Sequence, residues 1–229
     1  MKNIEEILFI IQARNNSERV PNKMLRPFSG TNLFEIALEK IKKTKIPPEN
    51  FRASVYEDSL SEITKKHGFI PYRRSLKSNK EERDIRSMYE WYNKFPQFKY
   101  AIKINACHLF LKPETIDSFI DHYIDSKNDG LFSVIKNKQY YWNEDKELIS
   151  KWPDGYNIMN TKYVGPTYEA AHCLYAGKLD LIGEGKWMGE PPYTKNNPEL
   201  FEVDSFESLD IDHEWQFELY TSYWSKLNG

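Results

Sequence analysis

The run Ile7-Leu8-Phe9-Ile10-Ile11 is an unbroken apolar stretch that stops at Gln12. Five consecutive apolar residues leave no polar face, which is how a strand covered on both sides reads. Such a strand needs a layer above it and a layer below it, so it constrains the fold more than any other segment. Residues 13–31 then form a long polar loop. After it Leu33, Ile36, Ala37, Lys40 and Ile41 recur at helical spacing, and Pro47-Pro48 stops the helix.

The same alternation continues along the chain. Residues 51–56 are predicted as a strand, 59–67 as a helix closed by Gly68, and 69–72 as a further strand. Residues 84–94 are predicted as a helix, 100–105 as a strand, 113–126 as a helix with Pro113 in its first turn, and 131–135 as a strand. Strands separated by helices of about 10 to 15 residues imply crossover connections and a mostly parallel sheet with helices on both faces. The predicted fold class is α/β, a Rossmann-like three-layer sandwich, formed by residues 1–229 as a single domain. The C-terminal part contributes a return strand at 170–176, a Gly- and Pro-rich loop at 183–198, a strand near 201–203 and a final helix from about residue 214.

The pattern breaks between residues 136 and 167. Tyr140, Tyr141, Trp142, Trp152, Tyr156 and Tyr163 lie there among charges and the turn-prone pair Asp154-Gly155. An isolated two-stranded ribbon is marginal unless its aromatic face is covered. This stretch is therefore expected to form a small β-hairpin excursion covered by a second subunit, making a homodimer. Fifteen Tyr and six Trp exceed what a small core requires, which supports an aromatic interface.

Composition narrows the function classes. Thirty-two Lys and Arg against thirty-four Asp and Glu give a formal charge of −2, so no basic field of the kind that drives nucleic-acid binding is expected. No apolar run approaches the ~20 residues of a membrane span, and no signal-peptide pattern opens the chain, so a cytoplasmic location is expected. Cys107 and Cys173 are too few for a disulfide framework and lack zinc-ligand spacing. A small-molecule ligand is the default.

Two segments carry chemistry. The first is Ala13-Arg14-Asn15-Asn16-Ser17-Glu18-Arg19-Val20-Pro21-Asn22-Lys23-Met24-Leu25-Arg26, which leaves the carboxyl end of the first strand. Ligands of open α/β sheets bind at that end, and this loop offers guanidinium forks, a lysine and backbone N–H groups to a polyanion such as a nucleoside triphosphate. A solvated polar loop is the alternative. It is neither a P-loop nor a dinucleotide fingerprint, because no Gly occurs before Gly30. The second segment is Asp210-Ile211-Asp212 ahead of the last helix. In extended chain Asp210 and Asp212 share a face while Ile211 turns to the core, and two adjacent carboxylates suit a hard cation such as Mg²⁺. The alternative is that Asp212 merely caps the last helix.

The order Ala-Arg-x-x-Ser-x-Arg-x-Pro-x-Lys after a buried strand resembles the signature loop of the N-acylneuraminate cytidylyltransferases. The related 3-deoxy-manno-octulosonate and spore-coat polysaccharide cytidylyltransferases keep the same pattern. The segment from Asp204 to Asp212 resembles the family's Asp-Ser-x-x-x-Ile-Asp-Ile-Asp stretch, with Leu209 in place of an Ile. The resemblance implies a nucleotide-diphospho-sugar transferase-like fold and transfer of CMP from CTP to an acidic sugar, with release of pyrophosphate, for surface polysaccharide or glycoconjugate synthesis. It also implies that Ala13, Arg14, Asn15, Asn16, Ser17, Lys23 and Arg74 contact the nucleotide, that Arg14, Lys23 and Asp212 serve catalysis, and that Asp210 and Asp212 hold Mg²⁺. Asn15-Asn16 stand where the family often has paired glycines, Asn being tolerant of left-handed backbone. Met24 replaces an Asn that helps the family recognise the nucleotide.

Asn105, His172 and Tyr175 fall where the family contacts its acceptor. The stretch from Asn105 to Lys112 departs from the family's Gln-Pro-Thr-Ser-Pro-Leu-Arg, which implies an acceptor other than N-acetylneuraminate. Adjacent Cys107 and His108 suggest a covalent nucleophile, against which packing is the preferred reading. Activation of a phosphonate or phosphorylated small molecule, and a glycosyltransferase-like protein that binds a nucleotide sugar, are the alternatives.

Overall fold

The computed structural model describes residues 1–15, 17–81 and 83–228. The elements in chain order are β1 (Ile7–Gln12), α1 (Leu33–Lys42), β2 (Phe51–Val55), α2 (Asp58–Lys66), β3 (Ile70–Arg73), α3 (Leu76–Lys80), α4 (Ile85–Met88), β4 (Tyr100–Ile104), α5 (Pro113–Asp125), β5 (Leu131–Asn137), β6 (Thr167–Lys178), α6 (Leu179–Gly183), β7 (Glu199–Glu202) and α7 (Glu214–Asn228). The seven strands form one sheet in the order β3-β2-β1-β4-β6-β5-β7. All neighbouring pairs are parallel except those made by β6, which runs antiparallel to both β4 and β5.

The apolar run behaves as its composition demands. Ile7, Phe9 and Ile11 enter the larger core, which includes Phe34, Leu38, Phe119 and Phe217 from helices packed on one face of the sheet. Leu8 and Ile10 enter a second core with Tyr89, Trp91, Leu179, Ile182 and Trp187 on the other face. All five residues from Ile7 to Ile11 are fully buried. At ~25 cal/mol per Å² of apolar surface removed from water, a strand covered on both faces contributes about twice what a half-covered one does.

Two expectations need correction. Residues 84–94 do not form one helix: α4 ends at Met88, Tyr89 takes φ −109° and ψ 42°, and residues Glu90–Asn93 form a 3₁₀ turn. The break lets Trp91 drop into the second core, where it is fully buried and donates from Nε1 to Gln12 Oε1 at 2.9 Å. Burial of that indole outweighs the local helical preference. In the excursion, pairing of β5 with β6 reaches Asn137 and Thr167, but residues 138–166 carry one isolated antiparallel bridge, Trp142 with Leu148, in place of a regular ribbon. Among the described residues no helix is long and apolar enough to cross a membrane.

The loop expected at 183–198 packs on the sheet because glycine admits it. A Cβ on Gly177 would lie 2.4 Å from Trp187 O and 2.6 Å from Trp187 Cδ1. The missing side chain in β6 is therefore what seats Trp187 against the second core.

Candidate active site

Between β1 and β4 the strand order departs in two directions, the position at which open α/β sheets bind ligands. A cavity of about 590 Å³ opens there, a size that accommodates a nucleotide. Gln12 and Ala13 reach it from the end of β1, Arg74 from beyond β3, Lys103 and Asn105 from β4, and Asp210 and Asp212 from the segment before α7.

The two distant motifs meet in this cavity. Arg19 Nη2 lies 2.7 Å from Asp212 Oδ1. Lys23 Nζ donates to the carbonyl of Ile211 and stands 3.7 Å from Asp212 Oδ1. One turn further on, Arg26 pairs with Glu214. Three cations of the loop thus grip the entrance of α7.

Local structure explains why Lys23 points inward. Val20 and Met24 are buried and anchor the loop on either side of it. Between them Asn22 takes φ 57°, and its carbonyl accepts from Leu25 N at 3.0 Å and Arg26 N at 2.8 Å. The left-handed backbone considered at Asn15-Asn16 is not found at Asn15; Asn22 adopts it instead, a residue type that tolerates it. Ser17 lines the cavity, and its Oγ accepts from Val20 N at 3.4 Å. Asn15 faces elsewhere: its amide donates to Asn22 Oδ1 at 3.1 Å, and it lines an outer groove with Pro21 and Arg26. Asn16 lies outside the described residues.

The arginines divide by role. Arg14 lines the cavity and donates from Nη1 to Asn79 O at 3.1 Å. Arg74 also lines it, yet only 4% of its surface is exposed, and Nη2 donates to Asn79 Oδ1 at 2.6 Å and Ala13 O at 3.3 Å. Burial pushes its guanidinium down to about 10, opposed by Glu57 and assisted by Arg14. Arg74 is therefore the brace that fixes where the chain leaves β1. Arg73 turns outward to pair with Asp58.

Asp212 does not cap α7. Gln216 Oε1 accepts from the backbone N–H groups of Asp212 at 2.7 Å and His213 at 2.8 Å, closing the helix start as the returning residue of a capping box does. The Asp212 carboxylate is left for Arg19 and Lys23. Ile211 is fully buried, so Asp210 and Asp212 emerge together into the cavity as extended backbone requires. Asp210 Oδ1 is buried with no hydrogen-bond partner among the described residues. A buried carboxylate oxygen without a donor is costly unless a ligand or ion completes it. No cluster of three or more His, Cys, Asp or Glu suited to a metal occurs among the described residues. Two carboxylates nonetheless fit Mg²⁺, which takes one or two carboxylates together with substrate phosphates.

The acceptor residues expected from sequence do not all reach the cavity. Asn105 does, but its amide is engaged: Nδ2 donates to His172 O at 3.1 Å, and Oδ1 accepts from Cys107 N at 3.0 Å. Neither His172 nor Tyr175 lines it. His172 takes φ 56° in β6, opposite the irregular stretch of β5, and its Nδ1 is 3.1 Å from Tyr175 Oη. Tyr175 pairs in register with Lys103 on the neighbouring strand and lines a separate side cavity. Sequence reasoning missed Lys103; the one available signal was a lysine inside an otherwise apolar strand.

Burial pushes the Lys103 ammonium down to about 8, countered by Cys107 and Asp210. Cys107 lines the cavity, but burial and the Asp210 charge push its thiol up to about 12. His108 is 1% exposed, with Nε2 3.0 Å from Ala171 O, and burial pushes it down to about 4. A thiol held protonated beside a buried imidazole is not an activated nucleophile, and packing accounts for this pair.

Comparison with known proteins agrees with this geometry. Residues 8–162 match the family model described as Cytidylyltransferase. The chain is 22% identical over 213 residues to N-acylneuraminate cytidylyltransferase B of Danio rerio, covering 90% of this chain and 49% of that protein. It is 27% identical over 139 residues to the spore coat polysaccharide biosynthesis protein SpsF of Bacillus subtilis, covering 55% of this chain and 53% of that protein. The chain thus spans about half the length of these curated relatives. Among solved structures, a CMP:2-keto-3-deoxy-manno-octonic acid synthetase complexed with CTP superposes with a TM-score of 0.71 at 13% identity, covering 97% of this chain and 99% of that one. A 4-diphosphocytidyl-2C-methyl-D-erythritol synthase from Anaerococcus prevotii gives 0.65 at 14% identity, over 97% of this chain and 99% of that one. These two share the fold, and with the match of the family model over two thirds of its residues, the chain belongs to the cytidylyltransferase family.

Proposed function

We propose that this chain transfers CMP from CTP to an acidic sugar in the synthesis of a surface polysaccharide or glycoconjugate. An acceptor oxygen attacks the α-phosphorus of CTP, the bond from that phosphorus to the bridging oxygen breaks, and pyrophosphate leaves. The acceptor hydroxyl loses its proton in the same process. Such chemistry asks mainly for positioning and for charge stabilisation. The observation that carries the proposal is the meeting of Arg19 and Lys23 with the Ile211-Asp212 segment inside a nucleotide-sized cavity.

Lys23 and Arg14 bind phosphate oxygens, and Lys23 stabilises the charge that builds on the leaving pyrophosphate. Ser17 and the backbone from Ala13 onward hold the triphosphate in register, and Arg74 keeps Ala13 in place. Asp210 and Asp212 hold Mg²⁺, which when bound supplies positive charge to the phosphates. Before the nucleotide arrives, Arg19 and Lys23 neutralise Asp212. Arrival of triphosphate and cation offers each of these groups a new partner, so the site exchanges ion pairs in place of creating uncompensated charges.

The protein is further proposed to act in the cytoplasm as a homodimer, its excursion covered by a second copy. Trp142, Ile149, Ile158 and Met159 are among its exposed apolar residues, and patches of this kind on a polar surface mark interfaces. The relation to SpsF supports a polysaccharide product. The direct test is pyrophosphate release from CTP with Mg²⁺ and a panel of acidic sugars, for the wild type and Asp212→Ala. Release by the wild type that the variant loses is expected. Consumption of a nucleotide sugar with no pyrophosphate from any acceptor would replace this reading with a glycosyltransferase-like one.

A further inference from the structure

Among the described residues the cations around the main cavity have hydrogen-bond or ion-pair partners, with one exception. Arg19 and Lys23 hold Asp212, Arg74 holds Ala13 and Asn79, and Arg14 holds Asn79. Lys103 has no hydrogen-bond acceptor and no ion pair among the described residues, although it is half-buried on the cavity floor. Its ammonium faces rings instead, 4.0 Å from the centroid of Tyr175 and 5.8 Å from that of Tyr89. Ring faces stabilise a desolvated cation in part, but an ammonium with three donors and no acceptor remains suited to an incoming anion.

Its surroundings indicate what that anion is attached to. Tyr89 lines both the main cavity and a side cavity of about 200 Å³, whose walls include Tyr175, Trp187, Met188 and Tyr193. Tyr175 stacks on Trp187 with centroids 5.9 Å apart and planes at 13°, and Tyr89 meets Trp187 edge-on at 5.0 Å. Gly177 allows Trp187 to take that place. The side cavity is largely aromatic, with Arg83 on its wall, and Lys103 lies on the main-cavity side of Tyr89. The loop cations and Asp210-Asp212 line the same main cavity, and the Asp210 charge acts on Lys103.

We propose that Lys103 binds the carboxylate of the acceptor, and that Tyr89, Tyr175 and Trp187 form the wall against which the apolar C–H face of a sugar acid lies. This rests on the reading of the site as a cytidylyltransferase centre and adds the residue that selects an acidic acceptor. Asn105, just past the end of β4, already spends its amide on His172 and Cys107, which leaves Lys103 as the β4 side chain at the cavity without a hydrogen bond among the described residues. Burial pushes Lys103 down to about 8, and a bound carboxylate would restore its charged form.

The test uses Lys103→Met and Lys103→Arg with calorimetric titrations. CTP is titrated alone. N-acetylneuraminate, 3-deoxy-manno-octulosonate, their carboxamides and methylphosphonate are then titrated in the presence of CMP. The wild type is expected to bind at least one acid tenfold or more tightly than its carboxamide. Lys103→Met should abolish that preference, Lys103→Arg should keep part of it, and CTP affinity should stay within twofold in all three proteins. Failure of the wild type to bind CTP would sink the cytidylyltransferase reading in its own arm. CTP binding with no preference for acid over carboxamide overturns the Lys103 proposal alone. So does a Lys103→Met protein that loses CTP affinity, which would assign the lysine to the nucleotide, or methylphosphonate binding that depends on Lys103 more strongly than either acid does.

Discussion

The cavity between β1 and β4 and the excursion at residues 138–166 both leave the same sheet, yet they are organised in opposite ways. In the cavity, charged side chains are held before any ligand is present: Arg74 by Ala13 and Asn79, Lys23 by the Ile211 carbonyl, Asp212 by Arg19. The excursion has internal order too, since Tyr156 stacks on Tyr163 at 4.3 Å and Trp152 donates from Nε1 to Tyr156 O at 2.7 Å. Its outward surface nevertheless stays apolar, with Ile149 67% and Met159 59% exposed. One region is complete apart from its ligand. The other keeps an exposed apolar surface.

The sharpest way to break this contrast is to remove charge from the cavity. Asp210→Asn and Lys23→Met are each expected to lower kcat/KM for pyrophosphate release by ~10²- to 10³-fold, the cost of deleting one preorganised electrostatic group. Because Asp210 Oδ1 has no hydrogen-bond partner among the described residues, Asp210→Asn should leave the urea midpoint unchanged or slightly raised. A large fall in stability would mean that Asp210 is a structural group and that the cavity is not preorganised for a ligand. The excursion should behave inversely. The double change Trp142→Ser and Ile149→Ser is expected to weaken self-association by ~10-fold or more, read by sedimentation, since buried aromatics dominate such interfaces. CTP affinity per subunit should not move, and an equal loss there would show that the two regions are coupled.

How much of this was legible in the sequence follows from what kind of signal each feature leaves. β1 was legible because burial on both faces writes an unbroken apolar run, and the loop after it because a fixed order of residues follows. The meeting of that loop with Asp210 and Asp212 rested on two motifs about 190 residues apart that only a shared cavity could explain. Other features leave no local trace. Residues 84–94 have helical composition, but Trp91 is drawn into the second core and the helix breaks at Tyr89. The reversed direction of β6 comes from its neighbours in the sheet, as does the pairing of Tyr175 with Lys103. Arg73 and Arg74 are adjacent in sequence and have opposite fates, because alternation along an extended chain sends one to Asp58 and the other inward.

The border between cavity and scaffold can be drawn at α7. Gln216 closes the helix start and Asp212 does not, so Gln216→Ala should destabilise the protein by ~1 kcal/mol in urea denaturation. Asp212→Asn should cost less stability than this and far more activity. The reverse ranking would restore Asp212 to the role of a helix cap and remove it from the site.

The smallest effect lies on the edge of the sheet beyond the excursion, at Glu199. Partial burial pushes its carboxyl up, but hydrogen bonds from Asn128, Ser126 and His122 outweigh that and hold it down at about 2. A carboxyl whose folded value lies below its unfolded one binds fewer protons in the folded state. Its contribution is therefore fully present above the ordinary carboxylate range and is lost as pH falls toward about 2. Glu199→Gln should remove that part of the acid limb, flattening the fall in stability below about pH 4.5 by less than ~1 kcal/mol, as expected for a partly exposed pair. Chemical denaturation at pH 7, 4.5 and 3 measures it. Since Glu199 touches neither Lys23 nor Asp212, the pH dependence of pyrophosphate release should stay as in the wild type. A shift in that profile would mean that charge at the sheet edge reaches the cavity through β5 and β6, and the two regions would have to be treated as one.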